Sequence, residues 1–217
     1  MTILPAPKFI PNSPDGTHCG PAIWRMVLET FYPEQDWSFE KIDVIIRKEP
    51  GKFTWGQTFY PAMLEAGVNI HAITTWDERE FIARTWDYVR ERSGEESARN
   101  QQEHAQDLDF VKGAMQKMLD DPRLVRELRP ATFDDLAAAL AGGAYVGCTV
   151  NSRVLNEREG FNSHSVLVYG LDDTTVHFAD PGPLNNGLRT AERPVFARAW
   201  GFNGPDVQTM SAFSRRA

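Results

Sequence analysis

The sequence predicts an α+β fold, with a helical lobe first and an antiparallel sheet after it. Three observations predict this. Before Gly142–Gly143, apolar residues recur mostly at helical spacing. After that pair come short runs with strand-type composition, separated by turn residues. Early in the chain, Ala22 to Phe31 is polar only at Arg25, Glu29 and Thr30, which marks a helix destined for the core. Helices followed by strands argue for α+β rather than alternating α/β.

Residues 1–18 read as extended loop, punctuated by Pro5, Pro7, Pro11, Pro14 and Gly16. The core helix spans 19–31, with Pro21 in its first turn, where a missing N–H costs nothing. A second helix starts at an N-cap Ser38, with Trp37 and Ile42 spaced as a hydrophobic staple. A third runs from about Gln57 to Ala66 and is stopped by Gly67. Val68–Thr74 alternates as a strand. Residues 77–129 read as a helical insertion. Phe81, Ile82, Trp86 and Val89 mark one amphipathic helix and Leu108, Val111, Met115 and Leu119 another, with a polar, exposed joint at 93–106. That insertion either pads the core or forms a lid or a surface for a protein partner; spacing does not choose. Thr132 and Asp135 form a capping box for the next helix. Strands follow at 145–150, 165–170 and 175–180, with a last one near 194–199.

At 217 residues the chain can bury a sizeable core without disulfides or metals. Its 23 basic and 30 acidic residues leave a net charge of −7 with no basic block, which argues against a nucleic-acid surface. No apolar run is long enough for a membrane span, and the start does not read as a signal peptide. A cytoplasmic protein with Cys19 and Cys148 as free thiols is the expectation.

Three short segments carry chemistry. Cys19, in Gly16-Thr17-His18-Cys19-Gly20-Pro21-Ala22, stands at the head of the core helix. Unpaired N–H groups and the helix dipole there favour a thiolate and offer an oxyanion donor. Gly20 leaves room for a substrate backbone. His164 opens the strand that ends at Gly170, and Asp180 closes the next one before Pro181-Gly182. Those strands flank Leu171-Asp172-Asp173-Thr174 and predict a hairpin. A three-residue turn sets His164 directly opposite Asp180; a two-residue turn sets Ser165 there. In both registers imidazole and carboxylate meet at the open end of the hairpin. His18 and Cys19 are adjacent rather than at zinc spacing, and His177 alternates away from Asp180, so neither metal nor cofactor is expected. Cys148 falls on a core face with Val146 and Val150. Trp55, in a loop, is a candidate for lining a substrate cleft.

Cys-Gly-Pro-Ala heading an apolar helix, a later His-Ser-Val-Leu-Val-Tyr-Gly strand and then Val-His-Phe-Ala-Asp-Pro-Gly resemble the papain-like cysteine peptidases. The resemblance is nearest to the bacteriocin-processing branch, which cuts after double-glycine leaders, and to its standalone relatives. It covers roughly residues 5–75 and 130–200 and leaves 77–129 without a counterpart. It implies one catalytic domain over 1–217, a helical lobe packed on an antiparallel sheet, and a Cys19–His164–Asp180 triad. It further implies a peptide or amide substrate cleaved through a thioester. An acyl- or peptidyl-transferase on the same triad and a non-catalytic peptide binder are the alternatives. One departure stands out: such enzymes carry a Gln six residues before the nucleophile, and here that position is Ser13. Asn12 is the nearest amide and the candidate oxyanion donor, with Gln57 and Asn151 more remote.

Overall fold

The structure, a computed structural model, describes residues 1–182, 187–201 and 207–216. Its centre is one mixed sheet that draws strands from both halves of the chain. The strands are β1 (Thr2–Ile3), β2 (Val68–Thr74), β3 (Leu124–Leu128), β4 (Tyr145–Asn151), β5 (Ser163–Leu171), β6 (Thr175–Asp180), β7 (Gly187–Glu192) and β8 (Met210–Arg215). They run in the order β3-β2-β8-β4-β5-β6-β7, with β1 also paired to β5. All pairs are antiparallel except β2 with β3. The expected C-terminal antiparallel sheet is therefore widened by three strands from the helical half.

Helices cover both faces. On one lie α1 (Cys19–Phe31), α2 (Phe39–Ile46) and α3 (Tyr60–Ala66). Their Trp24, Met26, Leu28, Ile42 and Met63 pack on Tyr145, Leu167, Ala179 and Phe213. On the other, α7 (Phe133–Ala141) and α9 (Arg193–Trp200) set Leu136, Leu140, Phe196 and Trp200 against Val146, Val166, Val168 and Phe178. The alternation of β5 between these cores follows from its period of two. α1 lies very close to the sheet at Gly147. A Cβ there would meet Phe213 at 3.1 Å and Ile23 Cδ1 at 3.2 Å, so any larger residue would push those side chains aside.

Several local expectations hold. Ser38 caps α2 by accepting from Lys41 N, Gly67 ends α3 with φ of 98°, and Thr132 and Asp135 form a full capping box on α7. Three differ. The segment expected as a last strand, 194–199, is helix α9, because Pro194 sits in the first turn of a helix whose Phe196, Ala199 and Trp200 face the core; the strand precedes it as β7. The insertion holds α4 (Glu78–Arg84), α5 (Trp86–Glu103), which is broken at Gly94, and α6 (Leu108–Leu119). It then returns to the sheet as β3, parallel to β2. The polar joint is thus mostly helix. Its end is pinned by the buried Gln106, whose Nε2 donates to Ile46 O at 3.0 Å. Third, the β5–β6 hairpin takes neither expected register. Asp172 Oδ1 accepts from Thr174 N and Thr175 N, lengthening the turn so that Leu171 faces Val176. A bulge at Tyr169 then sets Leu167 opposite Ala179.

Candidate active site

That register decides how imidazole and carboxylate meet. Continuing from Leu167–Ala179, Asp180 lies beside Val166, so His164 is its diagonal neighbour two residues on. An even offset keeps both on one face, and the diagonal distance is within reach of a His and an Asp. His164 Nε2 lies 2.8 Å from Asp180 Oδ1, and both side chains are almost fully buried, at 4% and 2% exposure. The other ring nitrogen, Nδ1, is not taken up by Asp180, and His164 is close enough to Cys19 to act on its thiol.

Cys19 is the first residue of α1 and half-buried. The preceding residue, His18, gives the helix no side-chain cap, and the first turn holds no acidic side chain. The first N–H groups therefore remain directed at the thiol and at anything bound to it. Burial alone pushes the Cys19 thiol up. The hydrogen bond and charge of His164, with the backbone and hydroxyl of Ser165, outweigh it and hold the thiol below its ordinary value. His164 shows the mirror image: burial pulls it down, but Asp180 and then Cys19 push it up to about 9. Burial also opposes ionisation of Asp180, yet His164, Gly182 N–H and Arg189 keep it below the usual carboxylate range. The three groups thus favour a thiolate–imidazolium pair backed by a carboxylate. Cys148 is the contrast: at 2% exposure, without such partners, burial drives its thiol far up.

Asn12 couples the two halves of the site. Its N–H donates to Pro181 O at 2.9 Å and its Nδ2 to Gly16 O and Gly182 O at 3.2 and 3.1 Å. Its Oδ1 accepts from His18 N at 2.7 Å. Both amide hydrogens are taken up by carbonyls, so the side chain braces the loop before Cys19 against the Asp180 turn rather than standing free as an oxyanion donor. Ser13 is likewise engaged: its hydroxyl donates to Asp15 Oδ1 at 2.5 Å and meets His18 Nδ1 at 2.5 Å. His18 Nε2 lies 3.0 Å from both oxygens of Asp43, which ties this loop to α2. The remoter amides are occupied too: Gln57 Nε2 donates to Glu78 at 3.3 Å, and Asn151 caps the short helix α8 (Ser152–Leu155).

Gly20 and the Trp55–Gly56 corner share one neighbour. A Cβ at Gly20 would meet Trp24 Cζ2 at 3.4 Å and one at Gly56 the same atom at 3.9 Å. That brings the Trp55 loop to the start of α1. Trp55 itself is half-buried, with its ring 4.8 Å from Phe81 and 5.9 Å from Trp76. Its loop and the insertion thus form one aromatic cluster.

His177 pairs with Asp172 at 3.1 Å, His71 with Glu127 at 2.7 Å, and His104 stacks on Phe53 at 5.0 Å. No group of three or more His, Cys, Asp or Glu side chains among the described residues is arranged to hold a metal ion. No helix among them is long and apolar enough to cross a membrane. A groove of about 410 Å³, lined by Ile70, Ile73, Val125, Ala138, Met210 and Ala212 among others, touches none of Cys19, His164 or Asp180.

The residue that sequence reasoning missed is Arg189. From β7, its Nη1 donates to Asp180 Oδ2 and its Nη2 to Asn156 Oδ1 at 2.9 Å. Nothing in the sequence marks it. Only the β6–β7 register, which places Arg189 opposite Phe178 and Gly187 opposite Asp180, brings it there.

A mixed sheet flanked by helices, with a cysteine heading one helix and a histidine on a strand, is an arrangement for which solved structures offer a comparison: it is consistent with a C39-like peptidase fold. The particular structure it resembles is from Bacillus anthracis and is described as a candidate C39-like peptidase. The TM-score is 0.56 and the identity 14%, over 100% of this chain and 98% of that one. At that identity the likeness is one of fold. No protein-family model matches the sequence, and no curated protein matches it.

Proposed function

We propose that this chain is a papain-like cysteine peptidase or amidase, with Cys19 as nucleophile, His164 as acid and base, and Asp180 as the group that orients His164. The observation that carries the reading is the buried His164–Asp180 pair beside Cys19, in which the thiol is held low and the imidazole high. The C39-like fold supports it from outside the site.

The chemistry follows from that charge order. The Cys19 thiolate attacks the carbonyl carbon of a peptide or amide bond, and the carbonyl oxygen becomes an oxyanion near the uncapped N–H groups of α1. His164 Nδ1–H gives its proton to the leaving nitrogen as the C–N bond breaks, leaving a Cys19 thioester. Neutral His164 then takes a proton from water, which attacks the thioester. The C–S bond breaks and the thiolate–imidazolium pair returns. Asp180 holds Nε2 throughout, so that Nδ1 keeps facing the sulfur.

The engagement of Ser13, Asn12, Gln57 and Asn151 leaves the backbone N–H of Cys19 as the oxyanion donor in this reading. A site lacking a side-chain donor turns over more slowly by about 10²–10³. The same observation favours the rival reading, a relative that binds a peptide in this cleft without cutting it. Incubation with a mixed peptide library, followed by mass spectrometry of products and of the intact protein, decides between them. New peptide termini that vanish in Cys19→Ala support the peptidase. Retention of intact peptides by both proteins, with no acyl adduct on Cys19, supports the binder.

A further inference from the structure

Behind the catalytic line stands a cation that the mechanism above does not use. The Arg189 guanidinium lies 5.5 Å over the Phe178 ring, which fixes its plane against β6. Its fork reaches two segments at once, Asp180 Oδ2 at the end of β6 and Asn156 Oδ1 just beyond α8. The other oxygen of Asp180 accepts from His164 Nε2 and, at 3.0 Å, from Gly182 N–H. The carboxylate is thereby held by three donors and has no free rotation. Asp180 is 2% exposed and Arg189 22%, so this is no solvent-screened surface pair.

We propose that Arg189 is a positioning residue of the site: it locks the Asp180 carboxylate toward His164 and weakens the hold of Asp180 on the imidazole proton. The proposal rests on the Cys19–His164–Asp180 reading. Charges alternate along the array, with a cation at Arg189, an anion at Asp180, a cation at His164 and an anion at Cys19. A cation on the far oxygen draws the carboxylate's charge away from the imidazole and repels the imidazolium. An Asp180 without that counter-charge would hold the proton so firmly that its transfer to a leaving amine slows. Arginine suits the role because one rigid planar group serves two acceptors; a lysine supplies the charge at a single point.

The test uses the full chain with Arg189→Met, Arg189→Gln and Arg189→Lys. Far-ultraviolet circular dichroism first establishes which of them fold. Two readouts are then taken against pH: the NMR titration of the His164 ring and the rate of Cys19 alkylation by iodoacetamide. The expected result is that Met or Gln moves the His164 titration to higher pH by about one unit, with the upper inflection of the alkylation profile following it. Lys, which keeps the charge, restores the titration to near its original position. An uncharged substitution that leaves the His164 titration in place, or moves it down, overturns the proposal. Failure of the underlying reading looks different: alkylation of the unaltered chain would then show no preference for Cys19 over Cys148, whatever Arg189 does to His164.

Discussion

Replacing Asp180 with Asn keeps the size of the side chain and an acceptor oxygen but removes its charge, and so isolates what that charge does. His164 stands at about 9 instead of 6.5 although burial pulls it down. At 1.36 kcal/mol per pKa unit, the net preference for imidazolium is about 3 kcal/mol, and the partners together supply more than that. Asp180 is the largest of the raising influences, with Cys19 second. If Asp180 supplies about half of that preference, its loss weakens the imidazolium by roughly tenfold. The imidazolium, and with it the Cys19 thiolate, is then less populated as pH rises past neutral. The assay is the rate of Cys19 alkylation by iodoacetamide against pH, with each cysteine followed by peptide mass mapping. Asp180→Asn lowers the Cys19 rate near neutral pH by up to about tenfold and leaves the slow Cys148 rate unchanged. A folded variant with an unaltered Cys19 profile would refute the claim that the carboxylate sustains the ion pair.

Other consequences are equally open to measurement. Asn12→Ala unhitches the loop before Cys19 from the Asp180 turn; the Cys19 alkylation rate falls while His164 still titrates near its original pH. Gly147→Val forces α1 away from Phe213 and costs about 1–3 kcal/mol in denaturant melts, with a matching loss of Cys19 selectivity. Thr132→Ala removes the α7 capping box and costs about 1 kcal/mol by the same measurement, with no change at Cys19. Asp135, depressed mainly by Arg129, and Asp180, depressed by His164 against burial, contribute stability above their unfolded pKa. That stability is lost as pH falls through the lower folded values, so the melting temperature drops steadily below about pH 4.

What the sequence makes legible is local. Gly67, Ser38 and the Thr132–Asp135 box announce helix ends because each acts on its own neighbours. The Cys19, His164 and Asp180 contexts are short for the same reason. The misreadings come where distant packing overrides local pattern. The last strand was expected at 194–199, but Pro194 suits a helix start once Phe196 and Trp200 have a sheet to cover. The 93–106 joint is polar all round and gives no amphipathic signal, yet it is largely helical and anchored by Gln106. The hairpin register depends on an Asp172 turn and a bulge at Tyr169 that alternation does not encode. Asn12, the candidate oxyanion donor, has its amide hydrogens on the Gly16 and Gly182 carbonyls, an engagement that only the third dimension reveals. Arg189 lies outside sequence reasoning altogether, since its partners are 9 and 33 residues away.

The most direct measurement is the ultraviolet absorbance of thiolate across a pH titration of the unaltered chain, Cys19→Ser and His164→Ala. The account predicts one thiolate that forms below the pH of an ordinary cysteine in the unaltered chain, absent in Cys19→Ser and delayed to more alkaline pH in His164→Ala. If thiolate appears in the unaltered chain only at the pH of an ordinary cysteine, there is no ion pair at the head of α1, and the catalytic reading of this site fails.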